Sequence, residues 1–276
     1  MTKLSLPFVE TMITQVCNLS CQGCTNYSDL PHQGYVSWAQ GKQWLEPWSN
    51  RIAIEEFGIM GGEPLINPEW RDWIYGVREL LPNAPIRFTT NGLMLNRAPD
   101  ILDIMEEVGN VVFKITVHVN DHELESQIQH IHSSRTWAPI KEFGINRWVG
   151  ENNVKFQVNR PTKFVATFKG TYDNMQPWHS DPNQAFKQCV QYNCPLLYQG
   201  KIYKCSTAGL LSKVLDRFNK PNYAEWEQYI DNGISVTDTE SSIAEFIKNF
   251  GMPSPICAQC PTHGNALNHI MTVVRK

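Results

Sequence analysis

The sequence lacks long hydrophobic runs. No stretch of about 18 consecutive apolar residues occurs in it, so we expect no transmembrane helix. The first residues also lack the apolar core of a signal peptide, because polar Glu10 and Thr11 soon interrupt the segment. These absences predict a cytoplasmic protein without a membrane partner.

Charge is also scarce and nearly balanced. The 276 residues include 24 Lys and Arg against 27 Asp and Glu, a formal net charge of −3. Binding along a nucleic-acid duplex depends on clustered Lys and Arg that displace counterions. We therefore do not expect a duplex nucleic acid as partner, whereas a small basic pocket is compatible with this composition.

Cysteine is absent between residues 25 and 188, and the eight cysteines form two groups on either side of that gap. The first group is Cys17, Cys21 and Cys24, and the second is Cys189, Cys194, Cys205, Cys257 and Cys260. Their density is too low for a small disulfide scaffold. In a reducing compartment, such groups more often bind metal or carry out redox chemistry.

Apolar periodicity predicts strands that alternate with helices in the first half of the chain. The predicted strands are 7–16, 51–60, 85–92 and 110–119. The first predicted helix begins after Ser37, the second begins at Pro68 with Asn67 as its cap, and the third spans 99–108. Pro47 is expected to help end the first helix. This alternation indicates parallel strands with crossover helices, and therefore an α/β sheet or a partial barrel.

The periodic pattern weakens between about residues 135 and 185, which we interpret as the end of a first domain. Residues 1–185 then form the larger domain, and residues 186–276 form a second domain that contains the later cysteines. One strand is predicted at 163–169, and helical stretches are predicted near 223–230 and 241–250.

The first cysteine group places three thiolates on one short loop after the first predicted strand. Three thiolate ligands leave one iron of a four-iron cluster without a protein ligand, and a small chelating molecule can bind there. The alternatives are three buried cysteines or a zinc site, although zinc loops usually show paired C-x2-C spacing.

The spacing C-x3-C-x2-C of Cys17, Cys21 and Cys24, directly after a strand, resembles that of the radical S-adenosylmethionine (SAM) superfamily. The sequence Gly61-Gly62-Glu63-Pro64, at the end of the second predicted strand, resembles the GGE motif of that family. Glycines let the backbone approach a ligand, and a carboxylate can receive the methionyl ammonium. One departure is Gly23, since relatives commonly have an aromatic residue before the third cysteine, so adenine contact must come from elsewhere, with Tyr27 as a candidate.

This resemblance implies a 4Fe-4S cluster on the first cysteine group, with SAM bound at its open iron. It also implies reductive cleavage of SAM to a 5′-deoxyadenosyl radical, which removes hydrogen from a substrate. The implied SAM contacts are Gly61, Gly62, Glu63, Pro64, Thr90, Asn91, Thr116 and His118. A threonine on a strand is otherwise a common β-former.

In the second group, Cys189-x10-Gly200-x4-Cys205 resembles the opening signature of the auxiliary-cluster domains called SPASM or twitch, and Cys257-x2-Cys260 supplies a closing pair. The resemblance implies a second 4Fe-4S cluster held by four of the five cysteines. The signature favours Cys189 over Cys194, but spacing alone leaves both open. The alternative is a zinc site built from Cys205, Cys257 and Cys260, with His263 as a candidate fourth ligand.

We therefore expect an α/β protein with a partial (β/α)6 barrel and a small C-terminal auxiliary domain. The resemblance implies an oxidoreductase or related radical enzyme that oxidises or crosslinks a peptide or a small polar metabolite. It also implies an electron donor such as flavodoxin or ferredoxin. The alternatives are a nucleoside-modifying radical SAM enzyme and a non-catalytic iron–sulfur or zinc protein that serves electron transfer or scaffolding.

Overall fold

A computed structural model describes residues 3–140, 146–218, 223–262, 266–268 and 273–275. Strands and helices alternate through its first half. The strands are β1 (Ser5–Leu6), β2 (Val9–Met12), β3 (Leu19–Cys21), β4 (Ala53–Ile54), β5 (Phe57–Met60), β6 (Ile86–Thr90), β7 (Val111–Thr116), β8 (Ala138–Pro139), β9 (Asn146–Val149), β10 (Lys155–Asn159), β11 (Lys163–Val165), β12 (Leu196–Tyr198), β13 (Lys201–Tyr203), β14 (Ile234–Ser235), β15 (Ala266–Asn268) and β16 (Val273–Arg275). The helices are α1 (Trp38–Arg51), α2 (Trp70–Leu80), α3 (Ile101–Val108), α4 (His122–Ser133), α5 (Pro182–Phe186), α6 (Ser206–Phe218), α7 (Tyr223–Trp226) and α8 (Glu240–Asn249). Within these described ranges, no helix has the length and apolarity needed to cross a membrane.

The main sheet of the described residues has ten strands in the order β14-β13-β12-β2-β5-β6-β7-β10-β9-β8. Neighbours from β12 to β10 run parallel, whereas the strands at both flanks pair antiparallel. In the part of the chain that the structure describes, the sheet is open, with β14 and β8 at its edges. The predicted α/β class is confirmed.

The chain returns to the sheet after the first cysteine group. Strand β12 pairs parallel with β2, and Leu196 lies opposite Glu10. The Thr11 hydroxyl also donates a hydrogen bond to the Leu197 carbonyl at 2.9 Å. The strand that precedes the first cysteine group is therefore held by the region that contains the second group.

Two glycines let α1 and α2 pack closely. A Cβ atom at Gly41 would lie 2.0 Å from the Trp73 ring, and one at Gly76 would lie 2.0 Å from the Trp38 ring. The Trp38 and Trp73 rings meet edge to face, with centroids 5.2 Å apart. Gly41 disfavours an isolated helix, but the space for these indole rings requires it.

Helix α1 extends further than the sequence predicts. Ser37 caps it through a capping box with Gln40, but the helix continues through Pro47 to Arg51. Leu45 and Trp48, on either side of the proline, are fully buried. Their burial outweighs the hydrogen bond that a proline removes from a helix, so the prediction that Pro47 helps end the helix is wrong.

The described residues form two hydrophobic cores. The larger core lies between the sheet and helices such as α1, α2 and α3. The smaller core joins α6 to the segment after the first cysteine group, and its largest members are Trp226, Tyr27 and Tyr229. Leu30 and Leu210 also belong to this smaller core. The two cysteine regions therefore share one packed interior.

Candidate iron–sulfur and SAM site

The end of β5 lies directly against the segment before Cys17. Backbone bonds from Gly62 N to Thr14 O at 2.8 Å and from Glu63 N to Val16 O at 2.9 Å extend the parallel pairing beyond the strands. A Cβ atom at Gly62 would lie 2.4 Å from the Val16 carbonyl oxygen. The glycine is therefore required by a close approach of two backbone segments, in addition to any ligand.

The first cysteine loop, which we define as residues 17–30, has a compact conformation. Cys24 N donates to Cys21 O at 3.0 Å, and Gly23 between them has a φ of +77°. Aromatic residues rarely adopt this left-handed conformation. This backbone geometry explains why a glycine, and not an aromatic residue, stands before the third cysteine.

The three cysteines of this loop line one cavity of about 300 Å³, which we call the main cavity. The end of β5, the end of β6 and the end of β7 supply the facing wall. Of the eight predicted SAM contacts, those on this wall are Gly61, Gly62, Thr90, Asn91, Thr116 and His118. These residues come from three neighbouring parallel strands, whose carboxyl ends meet at one edge of the sheet.

Glu63 and Pro64 are not among the residues that line the main cavity. The Glu63 side chain is fully buried and accepts hydrogen bonds from Thr90 Oγ1 at 2.7 Å, Asn91 N at 2.8 Å and Leu65 N at 3.1 Å. Burial raises the pKa of Glu63 to about 7, although these three bonds lower it. The carboxylate thus ties the end of β5 to the end of β6.

Asn91 connects Glu63 to the first cysteine. Its backbone N–H binds Glu63, while its side-chain amide donates to Asn18 Oδ1 at 2.7 Å and lies 3.8 Å from Cys17 Sγ. Cys17 Sγ also accepts a bond from Leu19 N at 3.4 Å. Asn18 was not singled out by the sequence, since an asparagine inside a cysteine loop carries no distinctive spacing.

One part of the remaining wall of the main cavity is apolar and was not predicted. It consists of residues that include Pro161, Phe164, Val165 and Val190. Phe164 meets the His118 ring edge to face at 5.8 Å. Val190 directly follows Cys189, so the second cysteine group borders this cavity. Tyr27, the candidate for adenine contact, is instead 1% exposed and lies in the smaller core.

Four of the five later cysteines line a second, smaller cavity, which we call the second site. These are Cys189, Cys205, Cys257 and Cys260. Burial, followed by the neighbouring thiols of Cys205, Cys189 and Cys257, raises the pKa of Cys260 well above its usual value. Metal binding would displace protons from such thiols.

A tight hairpin positions Cys205. Tyr198 pairs with Lys201 across the turn, and the two turn residues Gln199 and Gly200 have φ values of +50° and +80°. Positive φ at both positions is typical of a type I′ turn, which favours glycine. The Gly200 carbonyl also accepts a bond from Trp48 Nε1 at 2.8 Å. The glycine of the cysteine signature is therefore a turn residue.

Cys194 does not line the second site. Burial, followed by Glu10 and then the Cys189 thiol, raises the pKa of the Cys194 thiol to about 12, whereas Arg87 and Lys114 lower it. Glu10 and Arg87 flank Gly58 on one rung of the sheet. Cys194 is thus close enough to Cys189 to influence it electrostatically, but it is not among the four thiols that line the cavity.

A single zinc ion requires ligands that converge within about 2.3 Å of one point. No group of three or more His, Cys, Asp or Glu side chains within the described ranges is arranged to hold a metal ion. The three thiols of the first group line one cavity, and four thiols of the second group line another. His263, the proposed fourth zinc ligand, lies outside the described residues.

Residues 11–143 match the family model of the Radical SAM superfamily. This match supports a radical SAM domain in the segment that contains the first cysteine group and the glycine motif. The family implies a 4Fe-4S cluster and SAM. The second cysteine group lies beyond the matched residues.

Two curated proteins are similar to part of this chain. The GTP 3′,8-cyclase of Rhodococcus opacus (strain B4) is 29% identical over 95 residues, which are 33% of this chain and 27% of that protein. The GTP 3′,8-cyclase of Aquifex aeolicus (strain VF5) is 25% identical over 122 residues, 42% of this chain and 37% of that protein. The chain therefore aligns with less than two fifths of either relative.

A solved structure extends the likeness to almost the full length. The crystal structure of BtrN in complex with AdoMet and 2-DOIA covers 95% of this chain and 95% of its own, with a TM-score of 0.51 and 17% identity. At this identity the likeness concerns the fold alone.

Proposed function

We propose that this chain is a radical SAM enzyme that acts on a polar substrate, either a peptide or a small metabolite. The observation that carries the proposal is the main cavity, where three thiols from one loop face residues from the ends of three parallel strands. When bound, a reduced 4Fe-4S cluster and SAM supply a 5′-deoxyadenosyl radical that removes hydrogen from the substrate.

The chain itself supplies ligands, orientation and a sheltered site. Cys17, Cys21 and Cys24 would hold the cluster, since three thiolates leave one iron open for SAM. The backbone at Gly61 and Gly62 lies in the cavity wall without side chains, so polar backbone atoms can approach the methionyl group. Thr90, Asn91 and Thr116 offer hydrogen bonds to a carboxylate or a ribose.

We propose that Glu63 supports this site from behind. Its three hydrogen bonds fix the ends of β5 and β6. The side-chain amide of Asn91 then links these strand ends to Asn18 and Cys17 in the first cysteine loop. Because the carboxylate accepts bonds from the protein, its contribution to SAM binding is to hold the neighbouring wall in place. The apolar wall at Phe164 and Val165 limits access of water to the cavity.

We propose a second 4Fe-4S cluster at the second site, with Cys189, Cys205, Cys257 and Cys260 as ligands. The four thiols line one cavity, whereas Cys194 is not part of the lining of that cavity. An auxiliary cluster fits an oxidation or crosslinking reaction, in which an electron must leave the substrate radical. Electrons for the first cluster would come from a small protein donor such as flavodoxin or ferredoxin.

The two curated relatives favour a second candidate, a nucleotide substrate, because both are GTP 3′,8-cyclases. Their likeness covers at most 42% of this chain. The two candidates are distinguished by adding GTP or peptide mixtures and measuring which one increases the rate of 5′-deoxyadenosine formation.

The proposal is tested on anaerobically purified and reconstituted protein. Iron, sulfide and zinc are measured together with 5′-deoxyadenosine formed from SAM under a strong reductant. We expect about eight irons per chain, as two four-iron clusters require, and formation of 5′-deoxyadenosine. Changing Cys17, Cys21 and Cys24 together to Ala should abolish cleavage and leave the second-site iron in place.

Cleavage that persists in this triple variant would show that the first site is assigned wrongly. A wild-type protein with an intact first cluster that forms no 5′-deoxyadenosine with any substrate tested would favour a non-catalytic iron–sulfur protein. Zinc at the second site would leave the enzyme assignment intact and remove the auxiliary cluster from it.

A further inference from the structure

Direct hydrogen bonds join the loops that carry the two cysteine groups. The Thr25 carbonyl, next to Cys24, lies 3.1 Å from Thr207 Oγ1 and 3.4 Å from Ser206 Oγ, both of which can donate to it. Ser206 directly follows Cys205. Along this path, a single hydrogen bond joins Thr25, which follows Cys24, to Ser206, which follows Cys205.

Tyr27 and Gln191 strengthen this connection. The Tyr27 hydroxyl donates to the Thr207 carbonyl at 3.4 Å. The Gln191 side-chain NH2 group donates to Ser206 Oγ, and the Gln191 Oε1 atom lies 3.1 Å from Thr207 Oγ1. The Gln191 backbone N–H donates to Cys189 Sγ at 3.3 Å. The network thus contacts the first cysteine loop and, at the second site, Cys189 and the residue that follows Cys205.

The side chains that donate through a hydroxyl in this connection are buried and tightly packed, whereas Thr25 is half-buried and lines the main cavity. Ser206 is 0%, Tyr27 is 1% and Thr207 is 2% exposed. Tyr27 lies in the smaller core with Leu210 of α6, so the first cysteine loop and the helix after Cys205 cannot move independently without opening that core. The separation of the two sites is therefore fixed by packing.

We propose that this hydrogen-bonded network, formed by Thr25, Ser206, Thr207 and Tyr27, is the route by which electrons pass between the two clusters. The inference rests on the proposed second cluster. In each transfer one electron leaves a reduced cluster and enters an oxidised one, and no covalent bond forms or breaks. Electron tunnelling decays more slowly along covalent and hydrogen bonds than across gaps between unbonded atoms, which favours this path. Ser206, Thr207 and Tyr27 are positioning residues in this role.

The test uses full-length protein with both clusters loaded. A flash-activated photoreductant delivers one electron, and the absorbance and EPR signals of the two clusters report its exchange between them. We expect the double variant Ser206→Ala with Thr207→Val to slow this exchange several-fold, because it removes both hydroxyl donors to the Thr25 carbonyl. The single variant Thr207→Ser, in which Ser206 is unchanged, retains the hydroxyl and should exchange electrons between the clusters at the wild-type rate.

The matched control is Thr11→Val. Thr11 is as buried as Thr207 and also donates to a backbone carbonyl, but that carbonyl belongs to Leu197 in the sheet. This control should leave the exchange rate unchanged. Tyr27→Phe removes one hydroxyl and keeps the ring, so it provides a milder variant, with a smaller slowing, should the double variant fail to fold.

Iron counts separate the two ways in which the inference can fail. If both clusters are present and the exchange rate is the same in the wild type and the network variants, the route is wrong while the proposed function stands. If the second site holds zinc or no metal in the wild type, both the second cluster and the route are overturned.

Discussion

Glu63 joins the ends of two strands beside the main cavity without lining it. Its two carboxylate oxygens accept bonds from residues on two different segments, and the side chain is fully buried. The sequence analysis assigned this carboxylate to the methionyl ammonium, and that assignment stays a prediction. Spacing alone cannot tell which partner a carboxylate binds, because that depends on how the ends of β5 and β6 meet.

We expect Glu63→Gln to lower the free energy of unfolding by about 1–3 kcal/mol, the cost of an unsatisfied buried group. Either orientation of the new amide places an NH2 group opposite the N–H of Leu65 or of Asn91. The measurement is denaturant unfolding at about pH 8, above the pKa of about 7, so that wild-type Glu63 is ionised.

The control for this substitution is Glu55→Gln, since Glu55 is exposed and accepts a bond from the Ser5 hydroxyl. Surface changes of this kind cost little. Equal effects of the two substitutions would contradict the role given to the Glu63 hydrogen bonds.

Glu10 makes stability depend on pH. Burial raises its pKa from 4.5 to about 7, while nearby Arg87 and Lys114 lower it. The folded state therefore holds this proton more tightly than the unfolded state, and the contribution to stability is lost as pH rises from about 4.5 through 7. We expect Glu10→Gln to reduce the change in the free energy of unfolding across this pH range by about 3 kcal/mol at most.

The measurement is the free energy of unfolding as a function of pH for both proteins. Glu63 has a pKa raised in the same direction, so some slope should persist in the Glu10 variant. A slope identical to that of the wild type would show that folding does not raise the pKa of Glu10.

Among the helices, α1 and α2 show where local propensity and packing disagree. A glycine in a helix normally costs about 1 kcal/mol relative to alanine. At Gly41 the added methyl group would meet the Trp73 ring at 2.0 Å. We expect Gly41→Ala to destabilise the protein by about 1–3 kcal/mol, the cost of overpacking, although propensity alone predicts a gain.

Denaturant unfolding measures this effect, with Gln43→Ala on the exposed side of the same helix as control. The control should change the free energy of unfolding by only a few tenths of a kcal/mol, as propensity differences of this size imply. A more stable Gly41 variant would contradict the packing seen between these helices.

The elements that the sequence predicted are those with strong periodicity. Strands β2, β5, β6 and β7 and helices α1, α2 and α3 lie within or close to the predicted segments. Helix α2 begins at Trp70 with Glu69 as its N-cap, so the predicted start at Pro68 with Asn67 as cap is wrong. Helix α6 was missed because it begins Ser-Thr-Ala-Gly directly after Cys205, a composition more typical of a turn. Its first turn is stabilised by contacts with Thr25 and Tyr27, which are distant in sequence.

Across the full chain, the separation of the later cysteines into four and one could not be predicted from spacing. It depends on the β12–β13 hairpin and on residues 255–259, which bring Cys205 and Cys257 to the same cavity. Cys194 lies instead beside charged residues of the sheet. The division into domains at residue 185 stays a prediction, although β12 beyond it joins the main sheet.

We expect Cys257→Ala to reduce the iron content by about half, since one of two four-iron clusters would be lost. Cys194→Ala should leave the iron content unchanged, and it serves as the matched cysteine control. Iron and sulfide analysis after reconstitution provides the measurement. Equal iron loss in both variants would overturn the choice of ligands.

The position of β12 beside β2 also affects how the chain folds during synthesis. Strand β2 pairs with β5 on one side, but its other edge is covered by Leu196 and Leu197, which emerge from the ribosome much later. Until then the nascent chain exposes an unpaired strand edge in the middle of its future sheet, next to the first cysteine loop. Such edges are aggregation-prone, so we expect this edge to need protection during synthesis for longer than in a fold closed by local contacts.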